Sequence, residues 1–153
     1  MKFNDTFAVQ RGAIKTLPFS EPFWVATREK RLVLQHCSRT GTYQFFPRPV
    51  SIATGRSDLE WKEVDGRGEI YSYTVARVGM KQFRGHEPYA VIIARLDVGV
   101  DIVSNIVNLQ DGDLRIGRRI RPYWLALNDK RHLLLFEPDL AKPCFVQDEL
   151  QRA

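Results

Sequence analysis

After residue 31, apolar residues come in short runs rich in β-branched and aromatic side chains, separated by turns that contain glycine, aspartate or asparagine. Runs of this composition predict β-strands, and nothing in this part of the chain predicts a long helix. Asn128-Asp129-Lys130 is a hairpin signal between the last two strands. The predicted strands begin at Leu32 and Leu59 and then cover 70–78, 89–96, 100–109, 119–127 and 132–136.

A short helix is predicted before the strands, at about residues 21–30. Ser20 is a good N-cap, Glu21 favours the positive end of the helix dipole, and Pro22 is tolerated in the first turn. The cationic residues of 28–31 follow at the C-terminal end, where they complement the dipole. Residues 1–19 show no strong period and are expected to form an arm.

The composition is that of a globular protein: 44% of the 153 residues are hydrophobic and 27% are charged. No apolar run reaches the length of a membrane span, and the N-terminus lacks the apolar core of a signal peptide, so we expect a cytoplasmic protein without a membrane partner. The net charge of +5 permits attraction to nucleic acid, anionic lipid or a CoA ester without choosing among them. Cys37 and Cys144 are expected to be reduced thiols.

Two turns, at residues 37–41 and 51–55, share one spacing. Each places a small sulfur- or oxygen-bearing side chain three positions before a Thr-Gly pair, as in the Cys-x-x-Cys-Gly knuckle of a zinc ribbon. Three of the four ligand positions are hydroxyls, which are poor zinc donors, so we predict no structural zinc. Spacing alone does not distinguish a former metal site from two similar turns. The four ligand positions are Cys37, Thr40, Ser51 and Thr54.

Without a metal, other interactions must stabilise such a ribbon. We expect Tyr43, Phe45 and Phe46 to pack against Trp24 or Trp61. The serine and threonine hydroxyls are expected to bond the backbone groups that thiolates would otherwise accept.

Five strands at the short spacing found after residue 70 match the small Greek-key barrel known as the OB-fold better than an immunoglobulin-type sandwich, which needs ~7 strands. We therefore expect a mainly β protein, with a five-stranded OB-fold barrel preceded by a short N-terminal helix and a degenerate, metal-free zinc-ribbon or rubredoxin-like segment. The expected parts are an arm and helix at 1–31, the ribbon at 32–60, the barrel at 61–140 and a C-terminal tail at 141–153.

The order of these features resembles the zinc-ribbon plus OB-fold proteins of acyl-CoA metabolism, long catalogued as a domain of unknown function. The match covers roughly residues 20–138. Besides the two turns, its segments are 21–24 (EPFW), 46–48 (FPR), 66–68 (GRG), 70–75 (IYSYTV), 88–91 (PYAV), 96–99 (LDVG), 116–117 (IG) and 136–138 (FEP).

The resemblance implies a non-catalytic accessory or interface subunit of a thiolase-like or aldolase enzyme that processes acyl-CoA. Proteins of this family associate with thiolase-like enzymes and are often needed for the partner's activity or stability. The ribbon and barrel are then expected to form part of the partner interface or of the acyl-CoA entrance, with acyl-CoA as a candidate ligand. The loss of three cysteines departs from the family pattern and removes the usual zinc ligands.

Basic and aromatic residues near the predicted loops are the candidate contacts for acyl-CoA or a partner. Cationic side chains can hold CoA phosphates by charge-assisted hydrogen bonds, or face an acidic patch on a protein. They fit a solvated barrel edge equally well. The candidates are Arg48, Lys81, Phe83, Arg84, Arg119 and Arg121.

No catalytic residue is predicted, and no cofactor is expected. His36 and Cys37 are neighbours on a strand and point to opposite faces, while His86-Glu87 and the Asp111–Asp113 turn fit solvated loops. Two alternatives stay open: a small acyl-CoA enzyme that acts alone, and a single-strand nucleic-acid binder. The OB-fold, the basic pI and the aromatic residues Tyr71, Tyr73 and Phe83 would suit the second, although nucleic acid is not the partner we expect.

Overall fold

The computed structural model describes residues 14–140. The expected tail, Cys144 and most of the expected N-terminal arm lie outside these residues. Within them, no helix has the length and apolar character needed to cross a membrane. One α-helix, α1 (Glu21–Thr27), precedes all the strands. The strands are β1 (Leu32–Cys37), β2 (Tyr43–Gln44), β3 (Leu59–Val64), β4 (Gly68–Ala76), β5 (Tyr89–Leu96), β6 (Asp101–Ile106), β7 (Arg119–Ala126) and β8 (His132–Pro138).

Helix α1 begins where the sequence predicts and ends earlier, at Thr27 instead of near residue 30. The chain leaves the helix through Lys30, which has a left-handed backbone (φ 56°). The Lys30 and Arg31 amides then donate to the carbonyls of Thr27 and Ala26, both at 3.1 Å. This pair of bonds satisfies the last carbonyls and stops the helix.

Strands β1, β2 and β3 form a three-stranded antiparallel sheet with β1 at its centre. In this register Gln35 of β1 lies opposite Gln44 of β2 on one side and Trp61 of β3 on the other. Strand β3 crosses the boundary expected between residues 60 and 61, and all six of its residues pair with β1. We call this sheet with its connecting turns the ribbon.

The other five strands form a closed barrel in the order β4-β5-β6-β8-β7, and β7 pairs back to the start of β4. The prediction of a mainly β protein with a five-stranded OB-fold barrel is confirmed. Its interior is filled by side chains that include Ile70, Ile120 and Phe136, none of which has exposed area. Gly68 lies opposite Leu96 of β5, and a Cβ there would clash with the Arg95 carbonyl oxygen, so only glycine fits.

The helix and the ribbon share one core with the barrel. Phe23 of α1 and Leu34 of β1 belong to the same buried cluster as Ile70 and Phe136 of the barrel. The end of α1 is also fixed to the β7–β8 hairpin, because the His132 Nδ1 lies 2.7 Å from the Thr27 carbonyl oxygen. The three parts therefore hold one another in place.

Candidate functional site

The two turns predicted as knuckles have the same backbone geometry. The Gly41 amide donates to the Cys37 carbonyl at 2.8 Å, and the Gly55 amide donates to the Ser51 carbonyl at 2.8 Å. Both glycines have left-handed backbones, with φ of 71° and 68°. The shared spacing in the sequence thus corresponds to a shared local structure.

Three of the four expected ligand positions converge. The Cys37 thiol is hydrogen-bonded to the Ser51 and Thr40 side chains, and these bonds lower the pKa of the thiol to about 7, against burial, which raises it. Cys37 and Ser51 are each 1% exposed. The Thr54 hydroxyl instead accepts a hydrogen bond from the Arg56 amide at 3.3 Å.

This set of donors does not fit the zinc of a ribbon site. Zinc takes four nitrogen, thiolate or carboxylate ligands in structural sites, and the positions here supply one thiol and three neutral hydroxyls. Within residues 14–140, no cluster of three or more His, Cys, Asp or Glu side chains is placed to hold a metal ion.

Two buried glutamines hold the loop between the turns. Gln35 accepts a hydrogen bond from the Arg48 amide and donates to the Arg48 carbonyl, both at 2.8 Å. Gln44 accepts from the Ile52 amide at 2.9 Å and donates to the Val50 carbonyl at 3.2 Å. Gln44 Nε2 also donates to Gln35 Oε1 at 2.8 Å, which joins the two amides. We call this pair the glutamine clamp.

The aromatic residues of the ribbon reach Trp24 by way of Phe23, which the sequence analysis did not name as a contact. Phe45 packs against Phe23, with ring centroids 5.7 Å apart, and Phe23 packs against Trp24 at 5.1 Å. Tyr43 packs against His36 at 4.8 Å. The aromatic residues therefore tie the ribbon to the helix, while the glutamine clamp shapes the loop itself.

An apolar groove of about 490 Å³ lies where the helix, the ribbon and the barrel meet. Its walls come from the segment before and in α1, from ribbon residues 45–47, and from β5, β6 and β8. Two polar side chains in the wall are already engaged: Ser104 donates to the Leu134 carbonyl at 2.8 Å, and Asn105 donates to the Ala90 carbonyl at 3.0 Å. A groove of this volume and lining suits an apolar chain.

The candidate residues Lys81, Phe83 and Arg84 lie together in the loop between β4 and β5. Lys81 and Arg84 are exposed, and Phe83 packs against Tyr89 with ring centroids 5.2 Å apart. This loop therefore exposes two cationic side chains, and the contact between Phe83 and Tyr89 fixes the loop to β5.

The same loop is organised by Glu87, which the sequence analysis placed in a solvated loop. Its carboxylate accepts hydrogen bonds from the Gly79 and Gly85 amides. The backbone amide of Glu87 itself, together with those of Gly79 and Gly85, holds the pKa of the Glu87 carboxyl below its ordinary value. Glu87 is thus an ionised anchor of the loop.

The candidate residues Arg119 and Arg121 are ion-paired on the barrel. Arg119 binds both carboxylate oxygens of Asp97, at 2.7 and 2.6 Å, and Arg121 binds Glu137 at 2.9 Å. Arg119 lies opposite Glu69 near the start of β4, whereas the Lys81 loop leaves the far end of that strand. Strand geometry separates these ends by roughly 20 Å. The structure does not bring the predicted cations into one site.

Of the two exposed tyrosines of β4, Tyr71 has one ring face covered by a cation. Tyr71 and Tyr73 are 46% and 43% exposed. The Arg95 guanidinium lies 3.5 Å from the centroid of the Tyr71 ring and covers one face of it. Arg95 is in turn bound to both oxygens of Asp101, at 2.8 and 2.9 Å. This arrangement weighs against stacking of a nucleic-acid base on that face of Tyr71.

Comparisons with known proteins agree with this architecture. Residues 24–50 match the model of the ChsH2 rubredoxin-like zinc ribbon domain, and residues 61–125 match that of the ChsH2 C-terminal OB-fold domain. A DUF35 domain-containing scaffold protein of Methanocaldococcus jannaschii is 30% identical over 99 residues, which is 64% of this chain and 70% of that protein. The chain belongs to the DUF35 family. The resemblance inferred from the sequence is confirmed.

Other relatives of this DUF35 chain are longer or more distant. A protein of Thermomonospora curvata described as "Probable enoyl-CoA hydratase alpha subunit" is 31% identical over 117 residues, but the match covers 76% of this chain and 36% of that protein. A solved chain of the "Ltp2-ChsH2(DUF35) aldolase" is 29% identical, with a TM-score of 0.70 over 84% of this chain and 98% of that one. A DUF35 structure from Sulfolobus solfataricus, 16% identical, shares the fold with a TM-score of 0.57 over 80% of this chain and 86% of that one.

The glutamine clamp gives a stability prediction. Gln44→Ala should lower the free energy of unfolding by about 1–3 kcal/mol, because it leaves the partners of a buried amide without their hydrogen bonds. The matched control is Gln82→Ala, at an exposed position, which should change stability by no more than about 0.5 kcal/mol. Denaturant titration measures both. Equal stability of Gln44→Ala and wild type would contradict a role for the clamp.

The lowered pKa of Glu87 gives a pH prediction. A depressed folded-state pKa means that the contribution of Glu87 to loop order is present above the ordinary value of 4.5 and is lost as the pH falls through the lower folded value. In an NMR titration, the Gly79 and Gly85 amide protons should shift together with a midpoint below 4.5. Glu87→Gln should abolish that transition. A midpoint at or above 4.5 would show that the Glu87 carboxylate does not hold this loop.

Proposed function

We propose that this DUF35 chain is a non-catalytic accessory subunit that docks on a thiolase-like or aldolase enzyme acting on acyl-CoA. The observation that carries the proposal is the likeness to a chain of the Ltp2-ChsH2(DUF35) aldolase, which extends over 98% of that chain. Two descriptions of relatives support the same class of role: the scaffold protein of Methanocaldococcus jannaschii and the "Probable enoyl-CoA hydratase alpha subunit" of Thermomonospora curvata.

The chemistry of the described residues supports an accessory role. Between residues 14 and 140 we find no nucleophile paired with a base. Cys37 is 1% exposed, out of reach of a substrate. His36 Nδ1 lies 2.9 Å from a Glu60 oxygen, and His132 Nδ1 lies 2.7 Å from the Thr27 carbonyl oxygen. These groups have structural partners within the chain.

The apolar groove supports a contribution to acyl binding. Its lining offers dispersion contacts along an alkyl chain and little polar surface to penalise one. We propose that part of the partner's acyl substrate lies here. Lys81 and Arg84, exposed on the β4–β5 loop, stay as candidate contacts for a phosphate or a partner carboxylate.

The accessory role is tested by co-expression of this chain with a candidate thiolase-like enzyme that acts on acyl-CoA. We expect the two to co-purify and the partner's acyl-CoA turnover to fall when this chain is left out, while this chain alone forms no product from acyl-CoA. Two proteins that never co-purify, together with turnover that is indifferent to this chain, would refute the proposal.

We also propose that the ribbon holds no zinc, on the chemistry of its donors. Elemental analysis of the pure protein should give far less than one zinc per chain, and a chelator should leave thermal unfolding unchanged. The control is the triple variant Thr40→Cys, Ser51→Cys and Thr54→Cys, which restores four thiols on the two matched turns and should bind about one zinc per chain. Stoichiometric zinc in the wild type would show the proposal to be wrong.

A further inference from the structure

Every charged residue in the segment from residue 37 to residue 57 is a cation. The segment contains Arg39, Arg48 and Arg56 and no aspartate or glutamate. Arg39 is paired with Asp58, the next acid along the chain, at 3.2 Å. Arg48 and Arg56 are exposed, and neither forms an ion pair with any described residue. Two guanidinium groups are thus left to face an external negative charge.

Apolar side chains alternate with one of these cations along the same loop. Phe46 is 64% exposed, Val50 41% and Ile52 63%, and Arg48 lies between them. The side chains at positions 46, 48, 50 and 52 are all exposed, and we call these four residues the docking edge. Exposed apolar side chains grouped in this way are typical of surfaces that contact another macromolecule.

The glutamine clamp fixes the backbone of the docking edge by hydrogen bonds. Gln35 bonds both backbone groups of Arg48, and Gln44 bonds the Val50 carbonyl and the Ile52 amide. The backbone is fixed, while the side chains at these positions point to solvent. A surface already fixed in shape loses little conformational entropy on binding, which favours affinity.

We propose that the docking edge binds a protein surface of the acyl-CoA-processing enzyme, with an apolar depression for Phe46 and Ile52 and carboxylates facing Arg48 and Arg56. The inference rests on the proposed function, since that function supplies the partner. Interface cores combine aromatic residues with arginine, and this combination is present here. A CoA phosphate would use the two cations but would leave the apolar side chains uncovered, so a protein fits the whole edge better.

Matched substitutions test the docking edge. Ile52→Glu and Arg48→Glu should each weaken binding to the thiolase-like enzyme by at least about tenfold in surface plasmon resonance. The controls are Ile116→Glu, at an isoleucine that is 70% exposed in the β6–β7 loop, and Arg77→Glu, at an exposed arginine after β4. Both controls should bind as wild type does, and circular dichroism should show all four variants folded.

Each outcome bears on the inference in a definite way. A wild-type chain that forms no complex overturns the proposed function and the docking edge together. A complex that forms and survives both edge substitutions overturns the docking edge alone. Millimolar free CoA that displaces the wild-type chain from the enzyme would assign the cations to a nucleotide ligand, which also overturns the edge as a protein contact. Association that slows as salt rises, with no effect of CoA, supports it.

Discussion

A buried amide side chain is costly unless its hydrogen bonds are made, and this requirement shapes the ribbon. Gln35 and Gln44 lie opposite each other on β1 and β2 and are 4% and 8% exposed. Their amides find partners on the loop that links the two knuckle-like turns, at Arg48, Val50 and Ile52. The loop has little regular secondary structure, so the clamp is what determines its path.

The position of the groove follows from how three parts of the chain share one core. The helix contributes Phe23, the ribbon contributes Leu32 and Leu34, and the barrel contributes its buried face. A helix, a flat sheet and a closed barrel do not fill the space between them completely. The gap that remains is lined by apolar side chains from all three, and its position next to Phe46 places it beside the docking edge. A protein bound at the edge would therefore stand at one wall of the groove.

The barrel was predictable because its strands are short runs rich in β-branched and aromatic residues, separated by turns that contain glycine, aspartate or asparagine. In β5, Ala90, Ile92, Ala94 and Leu96 are buried and the residues between them are partly exposed, although nearly all residues of this strand are apolar. The end of α1 was not predictable, because the chain leaves the helix through a lysine with a left-handed backbone, and a lysine in the sequence does not indicate that conformation. The ion pairs of Arg119 and Arg121 also depend on which strands become neighbours. Pairing of β7 with β8, and the approach of Asp97, are properties of the closed barrel.

The glutamine clamp was not predictable from the sequence either, because glutamines next to predicted turns are typical of solvated positions. Only the register of β1 against β2 places the two amides together and turns them inward. Once so placed, they have a chemical property that a thiolate–metal centre lacks. Their hydrogen bonds involve no titrating group, no oxidisable sulfur and no exchangeable ion. The shape of the loop should therefore be insensitive to the supply of zinc and to oxidants, conditions under which a ribbon closed by cysteines would lose its metal and its form.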